Sequence, residues 1–154
     1  TEPATTATEP ATTTTSTAAS VTVFFPEAGG EALVRTAVPA SGTDLRAALE
    51  ALAAGPSGAA LDRGLPAGTR ILAADVSGGV ATVDLSREFA DAYPSGGAAA
   101  EFRALAPLVY TATGVDGVDA VRILVEGAAP DVPTQFDLSG PIARRDLPSP
   151  AEIR

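Results

Sequence analysis

Apolar and polar side chains alternate over residues 72–85, on both sides of Gly78-Gly79. Two adjacent glycines tolerate the positive φ angles of a two-residue turn, so this alternation predicts a β-hairpin. A slip of one residue would bury Asp75 and Asp84, which specifies the register strongly. The predicted register sets six apolar residues on one face in three facing pairs: Val76 with Ala81, Ala74 with Val83, and Leu72 with Leu85. The opposite face collects Ala73, Asp75, Ser77, Val80, Thr82 and Asp84.

Two strands and a helix are predicted before this hairpin. Residues 21–25 and 33–38 are rich in β-branched and aromatic residues and predict two strands that pair with each other. An apolar stripe at helical spacing follows, which predicts a helix with Thr43 as its N-cap and Gly55-Pro56 at its end. The stripe consists of Leu45, Ala48, Leu49 and Leu52.

One helix and one strand are predicted after the hairpin. The helix covers residues 98–112 with Pro107 inside it, and the strand covers residues 121–125. The proline-rich segment that follows is expected to be irregular, with one short edge strand over residues 135–138. The order β-β-α-β-β-α-β predicts an α+β two-layer sandwich, in which a mainly antiparallel sheet carries both helices on one face.

The two ends of the chain differ in composition from its centre. Residues 1–20 are almost entirely Thr, Ala, Pro, Glu and Ser, and we expect them to form a disordered tether. Residues 21–147 are expected to form one domain, with fraying from Arg144 onward and a flexible tail over residues 148–154. Because the sequence opens without Met inside low-complexity sequence, we expect a processed chain, such as a bacterial lipoprotein whose lipidated cysteine lies upstream.

The composition excludes several kinds of site. The chain carries a net charge of −9, and all ten basic residues are arginine. An acidic chain without basic clusters argues against binding to nucleic acid or to an anionic membrane surface. The absence of His, Cys and Lys excludes thiolate metal sites and the Ser-His and Ser-Lys arrangements for nucleophilic catalysis. We therefore expect no cofactor and no metal.

The polar face of the hairpin offers a candidate surface. Asp75 and Asp84 lie near-diagonally on it, and such a carboxylate pair could hydrolyse a glycan or hold a cation. The alternatives are a solvated face or ion pairs with Arg122 or Arg70. Asp84 could also brace the turn that leads into Ser86. We favour the solvated face and expect no catalytic residue. The predicted partner-binding surface consists of Asp75, Thr82, Asp84 and Arg122.

Segments spread along the chain together resemble the GerMN domain of the sporulation and spore-germination family. They follow the family's order and cover nearly all of residues 21–144. The segments are Val21–Phe25 with Leu33-Val34, Leu45–Leu52 through Gly55-Pro56, Pro66–Thr69, Gly79–Ser86 with Phe89, Val109–Thr111 and Val118–Gly127. The resemblance implies an extracytoplasmic domain of bacterial envelope proteins, a fold like the ring-building motifs of secretion-type rings, and no assigned catalytic residue. The sequence differs from the family at Pro107, and it holds one copy where some members hold two.

Together these observations predict a non-catalytic domain that binds or assembles with envelope proteins. Its contact with the membrane is expected only through a lipid anchor, and its oligomeric state is left open. One alternative is a carboxylate hydrolase acting on cell-wall glycan, which needs two close acids in a deep cleft. Another is a small-ligand-binding lipoprotein, which needs an apolar pocket between the helices and the sheet.

Overall fold

The computed structural model describes residues 19–150 and 152–154. The tether predicted over residues 1–20 lies outside this part of the chain, apart from its last two residues. Among the described residues, no helix is long and apolar enough to cross a membrane. The elements in chain order are β1 (Ser20–Pro26), β2 (Leu33–Pro39), α1 (Leu45–Ala54), β3 (Ile71–Ser77), β4 (Val80–Leu85), α2 (Glu88–Asp91), α3 (Ala98–Thr113), β5 (Ala120–Val125) and a single 3-10 turn, Arg144–Asp146.

The five strands form two small sheets. β1 and β2 pair antiparallel, and the second sheet has the order β3-β4-β5, with β4 antiparallel to β3 and parallel to β5. The parallel pair follows from the connection, because α2 and α3 lie between β4 and β5 and form a crossover that returns the chain in the same direction. Helix α1 contacts β1 and β3, α3 contacts β1 and β5, and the two helices contact each other. The predicted α+β class is confirmed, with the strands divided between two sheets.

The predicted hairpin forms around Gly78-Gly79, whose φ angles are 58° and 80°. Two of its predicted pairs are confirmed: Val76 with Ala81, and Ala74 with Val83. Val76 is nevertheless 47% exposed, whereas Ala81 is fully buried. The difference follows from position, since β3 lies at the edge of its sheet and β4 lies in the middle.

The third predicted pair, Leu72 with Leu85, is wrong. A β-bulge between Ile71 and Ala73 adds one residue to β3, so Ile71 lies opposite Leu85 instead. Ile71 is buried and Leu72 is 42% exposed. The bulge therefore gives the core position to the β-branched residue and turns the leucine towards solvent.

The N-cap of helix α1 lies one residue later than predicted. The N-cap is Asp44 rather than Thr43, and its side chain accepts a hydrogen bond from Ala47 N–H at 2.9 Å. A carboxylate at this position also complements the positive end of the helix dipole. The predicted stripe of Leu45, Ala48, Leu49 and Leu52 is buried.

Within the segment after β5, residues 134–136 are held by side chains rather than by strand pairing. The strand predicted over residues 135–138 is not formed. Gln135 N–H donates to Glu101 Oε2 at 2.9 Å and Phe136 N–H donates to Thr134 Oγ1 at 3.0 Å. Side-chain oxygens thus accept hydrogen bonds from the backbone N–H groups that would otherwise bond to a neighbouring strand.

The end of the chain differs from the fraying, flexible tail that we expected. The Arg144 guanidinium lies 4.5 Å from the centre of the Tyr110 ring and donates to Thr113 Oγ1 at 2.7 Å and to Tyr110 O at 2.9 Å. Further on, Leu33 N–H donates to Glu152 O and Arg154 N–H donates to Leu33 O, both at 2.9 Å. Residues 152–154 therefore lie along the start of β2, where Ile153 forms a parallel bridge with Leu33.

Replacing Val83 by Asp tests the hairpin register. Val83 is fully buried, whereas its neighbour Thr82 points to the opposite face and is half-buried. An unpaired carboxylate at position 83 should cost several kcal/mol, roughly, and unfold the domain. The matched control is Thr82→Asp, which should keep a cooperative thermal melt with only a small loss of stability, because a half-buried carboxylate opposite Asp75 costs far less than a fully buried one. A near-normal melt for Val83→Asp would contradict the register.

Candidate functional site

Three of the four predicted surface residues form one row across the second sheet. Asp75 on β3 lies opposite Thr82 on β4, and Thr82 lies opposite Arg122 on β5. Neighbouring strands are about 4.8 Å apart, so the two charged residues stand on strands about 10 Å from each other. All three project from the face away from the buried residues Ala81 and Val83. We call Asp75, Thr82 and Arg122 the polar row.

The charges of the polar row are exposed. Within the described part of the chain, Asp75 and Arg122 form no salt bridge, and Arg70 forms none either. Pairing of the hairpin carboxylates with Arg122 or Arg70, one of the alternatives from the sequence, is therefore not seen. The row presents a negative charge at the sheet edge, a hydroxyl at its centre and a positive charge on the far strand. This pattern suits a partner with complementary charges in the reverse order.

Asp84, the fourth predicted residue, is tied to a turn. Its Oδ1 accepts a hydrogen bond from Gly127 N–H at 2.9 Å. Glu126 and Gly127 have φ angles of 49° and 82°, so this bond holds a turn in the left-handed region directly after β5. The sequence alternative placed Asp84 at the turn into Ser86. Instead, Ser86 Oγ accepts from Arg70 N–H at 2.8 Å.

The two hairpin carboxylates lie on an open face of the sheet. Asp75 lies opposite Thr82 and Asp84 lies opposite Ala73, with Asp75 exposed and Asp84 half-buried. A hydrolase using two acids places them on either side of the bond that it cleaves, which requires a cleft. No group of three or more acidic residues that could hold a metal occurs in residues 19–150 and 152–154. The arrangement therefore supports recognition better than acid–base chemistry.

Glu101 is a buried carboxylate that sequence reasoning missed. It is 3% exposed and accepts hydrogen bonds from Thr134 Oγ1 at 2.6 Å, Gln135 N–H at 2.9 Å and Tyr93 Oη–H at 3.3 Å. The available signal is its position four residues before Leu105, which places an acid on the buried stripe of α3. These bonds join α3 to the loop that contains Thr134.

The protonation states in this cluster follow from burial and hydrogen bonding. Burial opposes ionisation of Glu101, but the bonds from Thr134, Gln135 and Tyr93 outweigh it and lower the pKa of the carboxyl group. Burial raises the pKa of Tyr93 to about 12. At neutral pH, Glu101 is thus an ionised acceptor and Tyr93 a neutral donor. With three donors already bound, Glu101 acts as an anchor for the loop.

Comparisons with known proteins identify the type of domain. A family model described as "Germane: Sporulation and spore germination" matches residues 22–131. A search of curated proteins finds no match. The matched range includes every strand and helix from β1 to β5 except the first two residues of β1.

Three of the solved structures that match share this fold as follows. A candidate lipoprotein from Clostridium perfringens is 23% identical, with a TM-score of 0.59, and the match covers 84% of this chain and 89% of that one. The first GerMN domain of the sporulation protein GerM from Bacillus subtilis is 21% identical, with a TM-score of 0.64 and coverage of 82% and 98%. The tandem GerMN domains of the same protein are 21% identical, with a TM-score of 0.65 and coverage of 83% and 47%. At these identities the likeness concerns the fold.

Replacing Glu101 by Gln should change how stability depends on pH. The folded-state pKa of Glu101 lies below its unfolded value, so its contribution to stability is complete above roughly pH 5 and is lost as the pH falls through the folded-state pKa. Glu101→Gln should lose about 1–2 kcal/mol at pH 7 and show a shallower loss of stability on acidification. Urea denaturation at several pH values measures both, with Glu31→Gln, at an exposed position, as the control. Parallel pH profiles for Glu101→Gln and the parent chain would contradict the anchor role.

Proposed function

The chain belongs to the Germane family of sporulation and spore germination domains, and on that premise we propose that it is a non-catalytic binding domain of the bacterial cell envelope. The observation that carries this proposal is the polar row. Its two opposite charges are exposed, free of salt bridges within the described residues, and held in fixed order by a paired sheet. A rigid display of this kind favours specificity for a complementary surface.

The proposed location is the outer side of the cell membrane, with attachment through a lipid anchor. The candidate lipoprotein from Clostridium perfringens, which shares the fold, supports this location. The Thr- and Pro-rich composition of residues 1–20 supports a spacer that would hold the domain away from the membrane. The sporulation protein GerM, which also shares the fold, supports a role in spore formation or germination.

Exchanging the two charges of the polar row tests the binding role. The double variant Asp75→Arg with Arg122→Asp leaves the net charge unchanged, so only the local order of charges is reversed. A photo-crosslinking amino acid at Thr82, between them, should yield a discrete adduct with an envelope protein in living cells. The exchange should remove most of that adduct, because each charge would then face a like charge on the partner.

The control moves the crosslinker to Ser57, which is exposed in the loop after α1. The same adduct should be absent from that position. Circular dichroism should show that the exchange variant remains folded. An equal adduct yield from a folded exchange variant would mean that the polar row does not recognise the partner.

A single introduced cysteine tests the proposed location. Because the chain contains no cysteine, Ser57→Cys provides one exposed thiol and nothing else in this sequence reacts. A membrane-impermeant maleimide should label it in intact protoplasts. A copy expressed without an export signal should be labelled only after lysis. Labelling of the exported protein only after lysis would contradict the proposed location.

A further inference from the structure

We infer that the open edge of β3 is a strand-addition site for an extended segment of a different protein, one that carries a basic residue opposite Asp75. The inference rests on the proposed binding role and specifies the chemistry of the partner. It starts from the free edges of the two sheets. An exposed strand edge presents unpaired N–H and C=O groups, which bind a further strand unless something covers them.

The outer edges of β1 and β5 are covered by other parts of the chain. On β1, Phe24 N–H donates to Thr111 Oγ1 at 3.0 Å, and Pro26 O accepts from Asp62 N–H at 2.8 Å. On β5, Val121 and Ile142 exchange two backbone hydrogen bonds, of 2.9 and 2.7 Å. The first half of the β2 edge is covered in a third way, since Leu33 and Arg35 form backbone hydrogen bonds with residues 152–154.

The edge of β3 is left open along most of its length. In a hairpin with a two-residue turn, Ser77 and the residue at every second position before it bond to the partner strand. The backbone groups of Ala74 and Val76 therefore point away from β4. Arg46 Nη2 reaches Ile71 O at 3.4 Å, which covers one end of the edge. No other hydrogen bond within the described residues reaches the outward groups of Ala74 or Val76.

The side chains along this edge suit an added strand. Leu72 and Val76 are 42% and 47% exposed, and among the described residues one other large hydrophobic side chain, Ile153, is as exposed. An added strand with apolar side chains would cover Val76 on one face. On the other face, its next residue would lie beside Asp75. An alternating apolar and basic segment therefore matches both faces of β3.

Charge argues against a second copy of this chain as the added strand. If Ala74 and Val76 of two antiparallel copies bonded to each other, their Asp75 residues would lie directly opposite, where like charges are destabilising. The net charge of −9 adds repulsion between copies. A lysine or arginine at the same place would instead pair with Asp75 across the strands. Asp75 thus selects against self-pairing and for a cationic partner.

A synthetic peptide tests the inference directly. The probe is a capped six-residue peptide in which valine alternates with lysine, added to the isotope-labelled chain and followed by NMR. The amide signals of Ala74 and Val76 should shift, and their hydrogen exchange should slow. A matched peptide with glutamate in place of lysine should bind about tenfold more weakly, because it places like charges opposite Asp75.

Two variants at one position separate backbone pairing from side-chain contact. Val76→Pro removes the outward N–H at an edge position where proline is tolerated, and it should abolish binding of the lysine peptide. Val76→Thr keeps the N–H and the β-branched shape, and it should retain binding. Equal binding by Val76→Pro and the parent chain would overturn the inference.

The remaining outcomes also decide between explanations. Shifts confined to Thr82, Asp84 and Arg122 would overturn the edge site while leaving the polar row as a binding surface. Absence of binding at millimolar peptide would overturn the edge site, whereas the crosslinking result at Thr82 would stand independently. A dimer of the unliganded chain in sedimentation, lost in Val76→Pro, would show that the edge binds a second copy instead.

Discussion

Pairing of β4 on both of its edges is the constraint on which the rest of the structure depends. Its inward residues, Ala81, Val83 and Leu85, are fully buried, so its outward residues have no freedom to exchange faces. The antiparallel pairing with β3 then places Asp75 beside Thr82, and the parallel pairing with β5 places Arg122 on its other side. The burial of one face therefore determines the order of charges on the other.

The hydrophobic alternation and helical spacing in the sequence predicted most strands and helices of this fold. These local patterns did not predict contacts between residues that are distant in the sequence. The alternation around Gly78-Gly79 was sufficient for two facing pairs, whereas the bulge at Leu72 was not predictable because Ile71 and Leu72 are both apolar. The direction of β5 was also undetermined, since alternation is the same in parallel and antiparallel strands. The crossover through α3 decides it. Three of the four surface residues share one row, which the hairpin register alone could suggest only for Asp75 and Thr82.

The hydrogen bonds of Glu101 and Arg144 explain why the C-terminal third of the chain was the hardest to predict. Glu101 binds a loop 33 and 34 residues away, and Arg144 reaches Thr113 and Tyr110 across 31 and 34 residues. Neither contact leaves a periodic signal in the sequence. Both sets of hydrogen bonds join this segment to α3, so a segment with few regular elements still has a defined path. The prolines in this segment have no backbone N–H group, so they reduce the number of hydrogen bonds that strand pairing could form there.

The covering of backbone N–H and C=O groups at the sheet edges also bears on where a partner can bind. Thr111, Ile142 and residues 152–154 each cover part of an edge that would otherwise attract another strand. Covering an edge in this way limits unwanted association. The edge of β3 lacks such cover along most of its length, and it carries Asp75, which also begins the polar row. An added strand would therefore extend the sheet whose outer face displays Thr82 and Arg122, and one partner could contact the edge and the face together. The side chain of Asp75 would then contact a basic residue of the added strand at the edge while also belonging to the polar row on the face.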